Sequence, residues 1–191
     1  MRIGKIERET KETSIIAEVN LDGSGGSEVE TPIAFLSHML STLATHSMID
    51  IKVKARGDLT HHITEDVALC LGSAMKEALH GSERIARFGY AAVPMDCSLS
   101  FAAVDLGNRP YSAIDLGAHG QNIEDMAVED VVHFFESLAT SMRSNIHIKV
   151  EYGGNDHHRV EAAFKALALS LRNAVSLDPR RTGVPSSKGA I

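Results

Sequence analysis

The chain has 191 residues, 43% of them apolar and 23% charged, with a formal charge of −6. This is ordinary globular composition, long enough for one large or two small domains, and its acidic balance gives no nucleic-acid footprint. The opening Met1-Arg2-Ile3-Gly4 has no apolar export signal and no run of about 18 apolar residues spans a membrane, while Cys70 and Cys97 form no CxxC pair, so a reduced, cytoplasmic compartment is expected.

Residues 2–9 and 14–21 read as strands. In the second, Ala17, Val19 and Leu21 alternate with Glu18 and Asn20, the period of a half-buried strand. Asp22-Gly23-Ser24-Gly25-Gly26-Ser27 is a loop. Thr31 is the expected N-cap and Pro32 the first position of a helix over residues 32–47, striped with Phe35, Met39, Leu40 and Leu43. Ile49, Ile51 and Val53 alternate in a strand. A helix then runs from His61-His62-Ile63-Thr64-Glu65 to about Leu79.

The second half repeats the order. Residues 98–106 and 110–116 read as strands, 125–143 as a helix carrying Val131, Phe134, Phe135, Leu138 and Met142, and 146–150 as a strand. Gly153-Gly154-Asn155 leads into His157-His158-Arg159-Val160-Glu161, at the head of a helix reaching about Val175. The two HHxxE boxes lie 96 residues apart, and each has a histidine upstream: His38 is 23 residues before His61, and His133 is 24 before His157. Such matched spacing indicates an internal duplication. The expected fold is α/β, a two-layer sandwich, each half strand-strand-helix-strand-helix with helices on one face of a small mixed sheet. Residues 1–90 form the first half, 91–178 the second, and 179–191 a tail rich in Pro, Gly, Ser and Arg.

On a helix, His157 and Glu161 share a face, whereas His157 and His158 differ by about 100° around the axis. One box therefore suits two metals, one per histidine, better than one metal. Taken singly, an HHxxE could be a solvated helix cap, and His38 and His133 could be hydrogen-bonded core histidines. The duplicated pattern favours metal ligation by His38, His61, His62, Glu65, His133, His157, His158 and Glu161, in two sites of four. Imidazole with carboxylate suits Mn, Fe, Co, Ni or Zn alike. Of the remaining histidines, His46 could face the site, His80 and His119 are expected to be exposed, and His147 lies in a strand without a role.

These residues resemble the imidazoleglycerol-phosphate dehydratase family over nearly the whole chain. The resemblance rests on Lys11-Glu12-Thr13, Phe35-Leu36-Ser37-His38-Met39-Leu40, His61-His62-Ile63-Thr64-Glu65-Asp66, Arg87-Phe88-Gly89 and Pro94-Met95-Asp96. It continues in His133-Phe134-Phe135, in Asn155-Asp156-His157-His158-Arg159-Val160-Glu161, and in Pro185-Ser186-Ser187-Lys188-Gly189. It implies the dehydration of imidazole glycerol phosphate to imidazole acetol phosphate in histidine biosynthesis. It also implies two Mn²⁺ per chain that bind the ring as imidazolate, with Glu12 as the acid/base group and Asp96 beside it in a catalytic role. The substrate-binding positions it implies are Glu12, His38, His46, Arg87, Arg109, Lys165, Ser186, Ser187 and Lys188. By the same resemblance the partner is a second copy of the chain, in a shell of twenty-four built from trimers with sites at subunit boundaries; no nucleic acid and no membrane is expected. The chain departs from the family pattern at Ser37 and Ser41, in a two-residue spacer before His61, and at Cys97, where the family usually has Glu. Cys97 is therefore not expected to be catalytic. A dinuclear metal hydrolase or a metal-binding scaffold is the alternative reading.

Overall fold

The computed structural model describes residues 1–81 and 84–189; the last two residues of the predicted tail lie outside them. The first half runs β1 (Ile3–Glu9), β2 (Thr13–Asn20), β3 (Ser27–Glu30), α1 (Ala34–Ser47), β4 (Asp50–Gly57) and α2 (Thr60–Leu79). The second runs β5 (Phe88–Met95), β6 (Ser98–Asp105), β7 (Tyr111–Asp115), a short hairpin of β8 (Asn122–Ile123) and β9 (Met126–Ala127), α3 (Val128–Met142), β10 (Asn145–Tyr152) and α4 (Asp156–Val175). The two main sheets have the same order, β1-β2-β4-β3 and β5-β6-β10-β7. In each the first three strands pair antiparallel and the last is parallel.

The period-two pattern decides which face of each sheet is covered. In β2, Thr13, Ile15, Ala17 and Val19 are buried under α2, while Ser14, Ile16, Glu18 and Asn20 point outward. In β6, Ser98, Ser100, Ala102 and Val104 are buried under α4. Across the halves α2 packs on α3 and α1 on α4, so the sheets are the outer layers and the helices the inner ones. Phe134, Phe135 and Phe164 meet at the centre with ring centroids 4.6–5.7 Å apart. Truncating such a buried ring to alanine typically costs about 3–5 kcal/mol.

Close approach marks the same place in both halves. A Cβ at Gly4 of β1 would collide with the Ala74 carbonyl of α2, and one at Gly89 of β5 with the Ser170 carbonyl of α4. Ala74 and Ser170 are 96 residues apart, the spacing of the two HHxxE boxes. The duplicated α/β fold stands as read, with one strand more in each main sheet than predicted and the β8–β9 hairpin besides in the second half. β3 has a single inward apolar residue, Val29, and joins β4 through outward ion pairs, Glu28 with Lys52 at 3.1 Å and Glu30 with Lys54 at 3.3 Å. β5 is an edge strand holding Pro94 and two alanines, so no apolar alternation announces it.

Two helix starts differ from the sequence expectation. α1 begins at Ala34, and Thr31 does not cap it: the Thr31 hydroxyl accepts from the Ile33 amide at 3.1 Å. The cap comes from the other half, where the Asp125 carboxylate accepts from the Ala34 and Phe35 amides at 2.6 and 2.9 Å. α3 begins at Val128 rather than near 125, because Glu124, at φ 52°, and Asp125 make the turn of the β8–β9 hairpin. Among the described residues no helix is long and apolar enough to cross a membrane.

Candidate metal centre

The helix-to-helix packing brings ligands from both halves together. His38 of α1 meets His157 and Glu161 of α4, and His61 and Glu65 of α2 meet His133 of α3. Within each trio one ligand atom per residue lies within 4.8 Å of the others. In the first, Glu161 Oε2 is 3.4 Å from His157 Nε2 and 3.7 Å from His38 Nε2. In the second, Glu65 Oε1 is 3.3 Å from His133 Nε2, and the His61 and His133 rings stack at 5.1 Å. Two imidazoles and a carboxylate with open remaining positions fit a first-row divalent ion.

The two trios differ in charge. Burial works against the Glu161 carboxylate, but Lys165, with Nζ 2.9 Å from Oε1, and the nearby His38 and His157 outweigh it and hold its pKa below the ordinary value. Glu161 is therefore ionised with Oε2 directed at the histidines. Leu69 stands where a matching lysine would lie beside Glu65. His46 faces the same Lys165 and Glu161; burial first, then Lys165, pushes its pKa down and favours the neutral ring.

His62 and His158 stand outside both trios, turned away as the helix geometry requires. Their ring centroids are 6.3 and 6.0 Å from those of His61 and His157, at 62° and 83°. Each sits beside the tip of its own half's first hairpin. His62 Nδ1 is 4.0 Å from Glu12 Oε2, and His158 Nε2 is 3.5 Å from Asp96 Oδ2. Asp96 adopts a left-handed backbone at φ 45°.

The box histidines also share an arrangement that the sequence did not announce. His61 Nδ1 lies 2.6 Å from the buried Asp130, His62 Nδ1 2.8 Å from Asp58, and His157 Nδ1 3.0 Å from Glu124. A carboxylate only accepts, so in each pair Nδ1 carries a proton, and in the neutral ring Nε2 then keeps the lone pair a metal needs. The hydrogen bond to Asp58 raises the His62 pKa. For His158 the Nδ1 neighbour is sulfur, Cys97 Sγ at 3.5 Å. His158, with the Gly154 amide at 3.3 Å, lowers the Cys97 pKa to about 7, so the thiol is far more acidic here than its reference value suggests. Cys70 is buried, which pushes its pKa up to about 11. Only the Asp58–His62 pair has a local sequence signal, a spacing of four.

The cationic candidates fall in separate places. Lys165 belongs to the Glu161 trio and also reaches Met95 Sδ at 3.1 Å. Arg87 forks onto Asp105 at 2.6 and 3.0 Å, and its third nitrogen donates to the Pro185 carbonyl at 2.9 Å, so it anchors the tail that carries Ser186, Ser187 and Lys188. Arg109 is exposed in the β6–β7 turn. Among the described residues no hydrogen bond or ion pair joins Lys165, Arg109 and the tail to one another. His80 and His119 are exposed as expected, and His147 is exposed on the outer face of β10, 5.5 Å from the Tyr111 ring.

The sequence model of the family described as imidazoleglycerol-phosphate dehydratase matches residues 31–171. A protein of that name from Dehalococcoides mccartyi is 48% identical over 191 residues, covering 100% of this chain and 97% of the relative. One from Methanothermobacter thermautotrophicus is 46% identical over 194 residues, covering 100% and 98%. Among solved structures, the Pyrococcus furiosus enzyme superposes with a TM-score of 0.85 at 39% identity, covering 97% of this chain and 100% of that one. The Staphylococcus aureus enzyme gives the same score at 30% identity, covering 92% and 99%.

Proposed function

This chain belongs to the imidazoleglycerol-phosphate dehydratase family, and from that premise we propose how its residues divide the work. It is a hydro-lyase of histidine biosynthesis that removes water from imidazole glycerol phosphate. Membership of a dehydratase family displaces the hydrolase and scaffold readings. The observation that carries the rest is the pair of His/His/Glu trios, each built from both halves, with a further histidine turned outward beside each.

Two divalent ions, Mn²⁺ in our reading, would be held by His38, His157 and Glu161 and by His61, Glu65 and His133. His62 and His158 would complete the sites of neighbouring copies in a shell of twenty-four built from trimers. When bound, such ions supply Lewis acidity and a template for the imidazole ring. The donor types fit: Nε2 faces the carboxylate in each trio, and Nδ1 is already occupied on three of the four box histidines. Free Cys70 and Cys97 agree with work in a reducing cytoplasm.

Glu12 is the acid/base group in this reading. Its carboxylate is exposed at a hairpin tip, next to a histidine that binds metal, and so free to take and return the protons that dehydration moves. Asp96, one residue before the position that matches Glu12, stands beside His158 at the other hairpin tip. The halves 1–90 and 91–178 each lend one hairpin and one helix pair, and the tail 179–191 lends the phosphate donors. Lys165 and Arg109 offer charge to the phosphate, Ser186, Ser187 and Lys188 offer hydroxyls and an ammonium, and Arg87 holds that tail in place. His46, kept neutral, can accept or donate one hydrogen bond to the ring or hydroxyls of the substrate.

The deciding experiment is a direct assay for imidazole acetol phosphate after chelation and after Mn²⁺ is restored. We expect about two ions per chain at saturation, loss of dehydration on chelation, recovery with Mn²⁺, and weaker metal binding in His157→Ala. Full activity in rigorously metal-free protein would sink the reading.

A further inference from the structure

The two hairpin tips are equivalent by register. Gly4 pairs with Val19 and Gly89 with Val104, and the tip before Thr13 matches the tip before Ser98. Cys97 therefore occupies in the second half the position that Glu12 occupies in the first. Along the helices the 96-residue spacing of the HHxxE boxes applies instead, and Gly154 stands where Asp58 stands. In the first half, Asp58 takes His62 Nδ1 at 2.8 Å, which leaves Glu12 at 4.0 Å without that task. In the second half Gly154 has no side chain. The sulfur of Cys97 covers His158 Nδ1 instead, at 3.5 Å, and also accepts the Gly154 amide at 3.3 Å.

We propose that Cys97 is a positioning residue, whose sulfur accepts the Nδ1–H of His158 and leaves Nε2 free to bind metal, the part Asp58 plays for His62. The inference rests on the two-metal reading above. Its reason is the chemistry of a ligating imidazole: the acceptor on one nitrogen fixes the tautomer, the ring direction and the basicity of the other. Asp130, Asp58 and Glu124 do this for the other three box histidines, and nothing but Cys97 is within hydrogen-bond reach of His158 Nδ1 among the described residues. The equivalence with Glu12 does not make Cys97 an acid/base group. Its sulfur is committed to a histidine and an amide, whereas the Glu12 carboxylate is free of both.

The test measures Mn²⁺ binding to the full chain, with wild type, Cys97→Ala, Cys97→Ser and His158→Ala side by side, and the unfolding temperature of each without metal. Wild type should bind two ions per chain. His158→Ala should lose one of them. Cys97→Ala should bind that one about 10–100-fold more weakly, as loss of an outer hydrogen-bond partner typically does. Cys97→Ser keeps an acceptor and should stay near wild type, and the metal-free unfolding temperatures of the cysteine variants should agree. If Cys97→Ala binds both ions as tightly as wild type while His158→Ala loses one, the positioning role is wrong and the two-metal reading stands. If wild type binds none, both fall. Two further results would overturn the inference: a sulfur-to-cobalt charge-transfer band in Co²⁺-loaded wild type, which would make Cys97 a ligand, and metal loss in Cys97→Ser with a lowered unfolding temperature, which would make its role structural.

Discussion

Glu12 and Glu161 show how two glutamates acquire different tasks from their surroundings. Glu161 is buried against Lys165 and two imidazoles, with one oxygen on the ammonium and one toward the histidines. It can ligate, but it has no freedom to shuttle protons. Glu12 is exposed, 4.0 Å from one histidine. Glu12→Gln keeps the size and removes the base, so turnover should fall by at least about 10² while metal content, measured by atomic emission, holds. Turnover equal to wild type would remove Glu12 from the mechanism. Arg87→Ala should act differently, releasing the tail at Pro185 and raising KM more than it lowers kcat. The loss should be roughly 1–3 kcal/mol, the range for a charged hydrogen bond whose partner is removed. At this scale the candidate ligands could be picked out in the sequence, because duplication repeats residue types at fixed spacing. Asp130 and Glu124 could not. They reach His61 and His157 from 69 and 33 residues away, and only tertiary packing sets those distances.

The β8–β9 hairpin is the smallest element and holds the first trio from two sides. Asp125 caps α1, four residues ahead of His38, and the adjacent Glu124 holds His157. A carboxylate at a helix N-terminus satisfies free amides and complements the dipole. Asp125→Ala should therefore cost about 0.5–2 kcal/mol in urea unfolding, the range for lost N-caps. It should also weaken metal at the His38 trio more than at the His61 trio, which site-resolved metal titration can separate. The second trio depends instead on how closely α2 approaches α3. A Cβ at Gly72 would lie 2.8 Å from the Leu138 carbonyl and 2.9 Å from the Met142 amide, and would collide with Ser141 Oγ. Gly72→Ala should destabilise by about 1–3 kcal/mol through overpacking and push His133 from His61 and Glu65. An unchanged urea midpoint would show that the helices have room to part. The helices and the central strands were legible because their buried faces follow periods near 3.6 and 2. β3, β5 and the β8–β9 hairpin were not: the first is defined by a Glu/Lys ladder, the second is small-residue edge strand, and the third exists to place two carboxylates.

The whole molecule presents two different outer faces, and they bear on how copies meet. The outer face of the first sheet carries Lys5, Glu7, Glu18, Glu28, Lys52 and Lys54, with ion pairs across it. That of the second carries Tyr90 and Phe101, 81% and 44% exposed, which line a groove of about 640 Å³ with Ala92, Ala103 and Ala113, and also the exposed Tyr111 beside His147. Aromatic exposure on this scale is a mark of an association surface. The outward histidines His62 and His158 are a second candidate contact, and unlike the first it needs metal. Two contacts of different chemistry predict assembly in two stages. With Mn²⁺, light scattering should find a very large particle; after chelation it should find a much smaller unit held by the second sheet alone. His62→Ala with His158→Ala should stop at the small unit even with Mn²⁺, because the metal-dependent contact has lost its ligands. Phe101→Lys should break the small unit itself, by placing a charge where an aromatic ring meets a neighbour. A monomer with and without Mn²⁺ that still binds two ions would show both sites to be completed within one chain, and the outward turn of His62 and His158 would then need another cause.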